Sequence, residues 1–309
     1  MSMFFLYLKL ARVDHWVKNT FILPGAILAI ATQYTSNENL TNLRFVSYAF
    51  IGTCLLSSAN YTINEFLDRD FDALHPVKQA RTAVKFSLNK RLVSLQYVVF
   101  ATLGLLLLAQ INIETLIAGI SLIIMGLLYN VNPIRLKDRR GLDVIAESIN
   151  NPLRLAIGWY STSPNHSVPV SLLISFMGAG IFLMALKRYT EKLILGSAAG
   201  RYRPSLETWS STELLVCALS GGFYGTTFLG IFLMKWKPEF VLVIPVIISL
   251  FMAYFRIGFS LNQVSFMPEK IYRSKQLVFR VAIVIALSFL LSFIHIPVLH
   301  QISEIIRVS

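Results

Sequence analysis

Of the 16 acidic residues in this 309-residue chain, a quarter crowd into one short stretch, Asn64-Glu65-Phe66-Leu67-Asp68-Arg69-Asp70-Phe71-Asp72. On a helix, Asn64, Asp68 and Asp72 fall at i, i+4 and i+8 and share a face; Glu65 flanks that face and Asp70 points elsewhere. Carboxylates and an amide converging in this way repel one another unless a cation neutralises them. Hard oxygen donors suit Mg²⁺, which keeps several waters and shares its shell with substrate phosphates. The plainer reading is a solvated helix end paired with Arg69, Lys78 and Arg81. It is disfavoured because the cluster directly follows an uncharged apolar stretch, where charge is costly. The expected metal ligands are therefore Asn64, Glu65, Asp68 and Asp72, with Mg²⁺ as cofactor.

A second cluster begins at Tyr129 and runs through Arg135, Lys137, Asp138, Arg139 and Arg140 to Asp143. From there polar positions recur at Glu147, Asn150 or Asn151, and Arg154, a continuous stripe on an otherwise apolar helix. Ionisable groups at such depth face a bundle interior or a wet cavity. Arg154 reads equally well as one half of an internal ion pair that locks helix packing. Asp143 is expected opposite the first cluster, and two acidic clusters separated by two apolar stretches suit a diphosphate bound through one metal or two. Cations for phosphate oxygens are near at hand: Lys18 where the first apolar stretch begins, Lys187 and Arg188 where the sixth ends, and Arg135 and Lys137 beside Asp143. Arg would grip phosphate in a bidentate manner and Lys as a point charge. The five histidines, His15, His75, His166, His295 and His300, show no metal-ligand spacing.

These residues must be carried by membrane-spanning helices. Hydrophobic residues make up 55% of the chain and charged ones 14%, with a mean hydropathy of +0.62, because long stretches hold no charge at all. Nine windows of spanning length occur, at about 17–33, 45–63, 92–110, 112–129, 143–160, 168–186, 214–234, 240–258 and 276–297. No long polar segment separates them, so one integral-membrane catalytic domain over 1–309 is expected, an all-α polytopic protein. The two cysteines, Cys54 and Cys217, lie inside apolar stretches and make neither a disulfide framework nor a metal site. The opening, with Lys9, Arg12, Asp14 and Lys18, lacks the pattern of a cleavable signal.

Basic residues set the orientation. Of 28 Lys and Arg, only Arg44, Lys235, Lys237 and Arg307 fall on one set of loops. Arg154, Arg256 and Arg280 lie in or at the ends of spans, and the other 21 fall on the opposite set. This predicts a cytoplasmic N-terminus, an external C-terminus and an active site facing the cytoplasm, with a bacterial inner membrane as the expected location. The net charge of +12 is then a property of cytoplasmic loops near anionic lipid, and nucleic acid is excluded as a partner because no basic patch lies outside those short loops.

The arrangement resembles the UbiA superfamily of intramembrane prenyltransferases, whose Asn-Asp-x-x-Asp-x-x-x-Asp motif is matched by Asn64-Glu65-x-x-Asp68-x-x-x-Asp72 apart from the glutamate. The likeness continues through Tyr129, Arg135, Lys137 and Asp143. It implies nine spans around a central cavity. Arg12-x-x-x-Trp16-Val17-Lys18-Asn19, His75-Pro76-x-Lys78, Lys187-Arg188-x-x-Glu191 and Pro268-Glu269-Lys270 look most like the polyprenyl-phosphate (decaprenyl-phosphate) phosphoribosyltransferase branch. Arg12-Val13 and Arg81-Thr82 stand where that branch usually has Arg-Pro, and Asn151-Pro152-Leu153-Arg154 replaces a Gly-Phe-x-Leu-Arg pattern. The resemblance implies catalytic roles for Asp68, Asp72 and Asp143. It implies substrate binding by Lys18, Asn64, Arg81, Tyr129, Arg135, Lys137, Lys187 and Arg188.

Two chemistries share such a metal site: transfer of phosphoribose from phosphoribosyl diphosphate to a polyprenyl phosphate, and transfer of a prenyl group from its diphosphate to an aromatic or other acceptor. The partners expected are thus a polyprenyl lipid, a diphosphate donor and the bilayer. A transporter is a third reading, opposed by the gathering of acids at one surface with no polar row crossing to the other. Three separate basic groups around one site would favour phosphoribosyl transfer, and a mainly aromatic lining would favour prenyl transfer.

Overall fold

The computed structural model describes residues 3–32, 43–259 and 274–308, and every regular element among them is helical. The site and the packing that supports it are built on twelve helices: α1 (Met3–Leu10), α2 (Ile22–Thr32), α3 (Leu43–Leu67), α4 (Lys90–Ala109), α5 (Ile113–Asn130), α6 (Leu142–Ser148), α7 (Asn150–Tyr160), α8 (Val170–Leu195), α9 (Ser211–Trp236), α10 (Ile244–Phe259), α11 (Lys275–Ser292) and α12 (Pro297–Val308). The chain divides into two compact units. The first comprises Met1–Val168 with Leu195–Ser210, and the second Pro169–Ile194 with Ser211–Ser309.

Six helical segments among the described residues are long and apolar enough to cross a membrane: Lys90–Ala109, Ile113–Asn130, Val170–Tyr202, Ser211–Trp236, Pro238–Phe259 and Lys275–Ser292. They coincide with six of the nine expected windows. The other three depart for visible reasons. Window 17–33 is split, because a 3₁₀ helix over Val13–Phe21 precedes the short α2. Window 45–63 does form one helix, α3, but Ser57, Ser58, Asn60 and Thr62 give it a polar side. Window 143–160 is carried by α6 and α7, which meet at Ile149 along the polar stripe, where right-handed helical dihedrals and the bond from the Ile149 N–H to the Ile145 carbonyl continue the turn. The aliphatic residues left exposed on the long helices, such as Leu95, Val98, Leu103 and Leu106 of α4, are those a bilayer would cover.

In the first unit the closest crossing is between α2 and α7. A Cβ added to Gly158 would stand 1.9 Å from the Ile22 carbonyl oxygen, and one added to Gly25 would stand 2.1 Å from that of Leu155. Backbones meeting this closely leave no room for any side chain, the small-residue mode of packing that replaces the hydrophobic drive inside lipid. Around this contact Ile22, Ala49, Leu56, Leu108, Ala118, Leu122 and Ile157 form a buried cluster. In the second unit α8 and α9 cross in the same manner, with a Cβ on Gly178 meeting the Gly225 nitrogen at 2.5 Å and one on Gly221 meeting the Phe182 nitrogen at 2.7 Å.

The 3₁₀ segment Val13–Phe21 is docked on the polar side of α3. Trp16 donates its indole N–H to Ser58 Oγ at 2.9 Å, and Asn19, fully buried, accepts from Ser57 Oγ at 3.0 Å. Asn19 Oδ1 also accepts from Arg154 Nε of α7 at 2.9 Å. Arg154 makes a second, longer bond of 3.5 Å to Asn151. The polar stripe on α6 and α7 thus finds amide partners for its arginine.

Candidate functional site

The acidic motif sits where α3 ends. The helix closes at Leu67, Asp68 takes a bridging conformation (φ −96°, ψ 2°), and a single further turn follows over Arg69–Asp72. Because the Asp72 amide still bonds to the Asp68 carbonyl at 2.7 Å, the helical spacing survives the break. Asn64, Asp68 and Asp72 therefore remain on one side, as their spacing predicted.

Glu65 does not join them. Its Oε2 accepts from Arg12 Nε at 2.8 Å, and its Oε1 accepts from the backbone N–H groups of Thr82 and Ala83 at 3.0 and 3.3 Å. Both oxygens are consumed in anchoring the end of α1 and capping the short helix Thr82–Lys85. An acceptor at a helix start satisfies amides that have no partner within the helix. Where the sequence expected a metal ligand, the Glu65 carboxylate is already engaged, and in this structure it holds the surrounding loop.

Asp68 is the centre of a buried charge cluster. Its Oδ1 accepts from Lys137 Nζ at 2.5 Å and from Arg135 Nη2 at 2.8 Å, while its Oδ2 accepts from Asn64 Nδ2 at 3.2 Å. Lys137 donates a second bond of 2.8 Å to Asn130 Oδ1, which also receives Asn64 Nδ2 at 2.5 Å. Arg135 is shared with Asp138 at 2.7 Å and lies over the Phe71 ring at 4.9 Å. Arg203 completes the set, donating to Tyr129 Oη at 3.3 Å and to the Lys137 carbonyl at 3.2 Å. Arg135 is held with φ at 31° and Arg12 with φ at 48°, and these are the two non-glycine residues of positive φ among those described. That conformation is sterically costly for a side chain with a Cβ. Both strained arginines reach carboxylates of the acidic motif.

Burial works against every charge in this cluster. It pushes the Asp68 carboxyl up, but Lys137, Arg203 and Arg135 more than compensate and leave it below the usual carboxylate value. Burial also pulls Lys137 down; Asp68 only partly restores it, and the ammonium ends at about 8. Asp72 is bonded to Arg81, with Lys78 adding a second positive charge, yet burial prevails and its carboxyl stands above the usual value. Lys78 in turn bonds to Tyr202, whose ring packs edge-on against His75. His75 itself accepts the Val77 and Lys78 amides and fixes the turn that delivers Lys78.

Asp143 is fully buried at the start of α6, accepting from Ser205 Oγ at 3.0 Å and from Trp209 Nε1 at 3.4 Å. It thereby pins the returning segment Leu195–Ser210, which also carries Arg203 and Tyr202, within the first unit. Lys18 lies half-buried in the 3₁₀ segment Val13–Phe21. Lys187 and Arg188 belong to the second unit, where Arg188 is buried against Glu191 at 2.5 Å. Pro268, Glu269 and Lys270 lie outside the described residues. The geometry thus gathers Asn64, Asp68, Asp72, Arg81, Tyr129, Arg135 and Lys137 in one unit. It adds Asn130, Tyr202 and Arg203, which sequence reasoning passed over. Asn130 was one amide in a polar loop, and Arg203 one of many basic loop residues; Arg203-Pro204 opening a short helix was the available signal.

The UbiA prenyltransferase family model matches residues 21–265. The chain belongs to the UbiA prenyltransferase family. Among curated relatives, a decaprenyl-phosphate phosphoribosyltransferase of Mycolicibacterium smegmatis is 26% identical over 215 residues, covering 67% of this chain and 63% of the relative. A protoheme IX farnesyltransferase of a Geobacillus species is 28% identical over 180 residues, covering 57% of each. The chain therefore spans less than two thirds of the length of either relative. A UbiA homolog from Archaeoglobus fulgidus, solved with GPP and Mg²⁺, superposes with a TM-score of 0.69 at 22% identity, covering 94% of this chain and all of that one. The two chains share a fold. With six helical segments among the described residues long and apolar enough to cross a membrane, and with this membership, the chain is an integral membrane protein.

Proposed function

We propose that this UbiA protein transfers a phosphoribosyl group from phosphoribosyl diphosphate to a polyprenyl phosphate, at the cytoplasmic face, in a Mg²⁺-dependent reaction. The observation that carries the reading is the number of cations converging on the acidic motif. Arg135, Lys137 and Arg203 surround Asp68, and Arg81 with Lys78 attends Asp72. A donor with a 5-phosphate and a diphosphate, meeting an acceptor phosphate, brings three anionic groups to one place. A prenyl diphosphate brings one. The similarity to decaprenyl-phosphate phosphoribosyltransferases supports the same reading.

The donor set fits Mg²⁺. Asp68 Oδ2 has only a weak amide donor, Asp72 keeps its second oxygen clear of Arg81, and Asn64 offers its carbonyl, three hard oxygens on one side of the chain. Asn64, Asp68 and Asp72 would hold the ion, which supplies charge for the leaving diphosphate. The remaining steps belong to the protein. Lys137, Arg135 and Arg203 bind the diphosphate oxygens and stabilise the charge that develops as the bond from ribose C1 to the diphosphate breaks. The diphosphate departs with the bonding electrons, and an oxygen of the lipid phosphate forms the new bond to C1. Asp143, assigned to the second metal or the ribose by sequence, holds through Ser205 and Trp209 the segment that carries Arg203, and Tyr129 orients Arg203. Lys18 is assigned by sequence to one of the additional phosphates.

The test is incubation of the purified protein with Mg²⁺, radiolabelled phosphoribosyl diphosphate and polyprenyl phosphate, with Asp68→Asn in parallel. Label entering the lipid phase with wild type and not with the variant is the expected result. If label stays in the aqueous phase while a prenyl diphosphate is consumed, the phosphoribosyl assignment fails and prenyl transfer, the chemistry of the farnesyltransferase relative, replaces it.

A further inference from the structure

The second unit holds a cluster of different chemistry. Glu239 opens the 3₁₀ turn Pro238–Val243 that follows α9, and His295 and His300 flank Pro297 at the start of α12. Five residues apart across a helix boundary, the two histidines have no spacing that sequence could read as a ligand pair. The fold brings them to one carboxylate. Glu239 Oε1 accepts from His300 Nε2 at 2.6 Å, and His295 Nδ1 lies 3.7 Å from the same oxygen. The two imidazole rings lie with centroids 4.2 Å apart, tilted by 36°. One donor atom from each of the three residues falls within 4.8 Å of the others.

A second observation points to a ligand. Glu239 is fully buried, and its Oε2 has no hydrogen-bond partner; Lys237 Nζ stands 4.0 Å away. A buried carboxylate oxygen left without a donor is costly. A divalent ion would neutralise this carboxylate, and each imidazole has a ring nitrogen able to coordinate it.

We propose that Glu239, His295 and His300 form a divalent transition-metal site of the Zn²⁺ type, clamping the start of α12 to the turn after α9. Two imidazole nitrogens and one carboxylate suit Zn²⁺ rather than Mg²⁺, which takes oxygen ligands. With bonds of about 2.0–2.1 Å, tetrahedral ligands stand about 3.3–3.4 Å apart. The present separations of 2.6 and 3.7 Å bracket that value, so small side-chain rotations admit the ion. The Ile296 N–H, donating to Oε1 at 3.2 Å, orients the carboxylate, the outer-shell contact such ligands ordinarily have. The site lies past the end of α9, beside Lys237, and shares no residue with the acidic motif of the first unit.

Calorimetric titration of the full chain in detergent with Zn²⁺, in a buffer already saturating in Mg²⁺, tests this. His295→Ala and Glu239→Gln are titrated beside wild type. The His295 side chain is 68% exposed, so its truncation leaves packing intact. Expected is one Zn²⁺ per wild-type chain, weakened about tenfold or more in each variant, at least the 10- to 100-fold by which losing even an outer-shell partner weakens a metal site. The thermal midpoint of wild type should also rise with Zn²⁺, and that of His295→Ala should not. Zinc binding of equal affinity and stoichiometry in wild type and His295→Ala would overturn the proposal, as would absence of saturable binding to wild type.

Discussion

Replacing Lys137 by arginine should remove the alkaline limb of the enzyme's pH profile. Lys137 is buried, and burial lowers its ammonium from 10.5 to about 8 despite the Asp68 carboxylate 2.5 Å away. At 1.36 kcal/mol per pH unit, the shift corresponds to about 3 kcal/mol of preference for the neutral form. The sign follows from which state holds the proton. Between pH 8 and 10.5 the unfolded chain keeps it and the folded chain does not, so this residue makes stability rise with pH across that window. Activity should move the other way. If Lys137 must be charged to bind diphosphate, kcat/KM falls about tenfold per pH unit above 8, since this parameter reports the free enzyme. Arginine stays charged throughout, so Lys137→Arg should show no such fall, whatever its absolute rate. Lys137→Met removes one charge-assisted hydrogen bond, about 1.5–3 kcal/mol, and should lower kcat/KM by roughly 10- to 150-fold near neutrality. Asp68→Asn removes the charge that sustains the ammonium and should lower the Lys137 titration further in a direct NMR measurement. An alkaline limb persisting unchanged in Lys137→Arg would refute the assignment.

Asp68→Asn should also destabilise the fold, because it leaves Lys137 and Arg135 without the anion they share; breaking a buried ion pair from one side costs about 3–5 kcal/mol, measurable as a lowered denaturation midpoint in detergent. Glu65→Gln should cost about 1–3 kcal/mol of stability through the loss of Arg12's partner, while leaving the Mg²⁺ concentration dependence of transfer as in wild type. Gly158→Ala places a methyl 1.9 Å from the Ile22 carbonyl and should lower the thermal midpoint by an amount equivalent to about 1–3 kcal/mol, separating α2 from α7. Removing divalent metal with EDTA should abolish transfer, and Mg²⁺ should restore it.

Hydropathy identified where the apolar helices lie because a spanning helix needs an uninterrupted apolar stretch, a local property; α4, α5, α8, α9 and α11 fall where composition put them. It does not tell where a window of spanning length is carried by two helical segments rather than one, as around Phe21 and Ile149, because average apolarity does not record helix continuity. Helical spacing likewise placed Asn64, Asp68 and Asp72 together, since residues four apart share a face whatever the tertiary structure. Which way Glu65 turns was not local: it depends on Arg12 and on the amides of Thr82 and Ala83, and these meet it only when the chain folds back. Lys137 and Arg135 could be named from sequence as cations near acids, but their descent onto Asp68 required α3 and α5 to lie side by side. Arg203 was one basic residue among many until the segment after α8 returned to the first unit, and Glu239 with His295 and His300 had no shared pattern at all. Sequence alone determined what this chain does with water and lipid, and which acidic motif it carries, because apolar length and helical repeat are written within a few turns. The tertiary structure decided which charges meet, because partners 53 to 69 residues apart are chosen by packing and desolvation rather than by spacing.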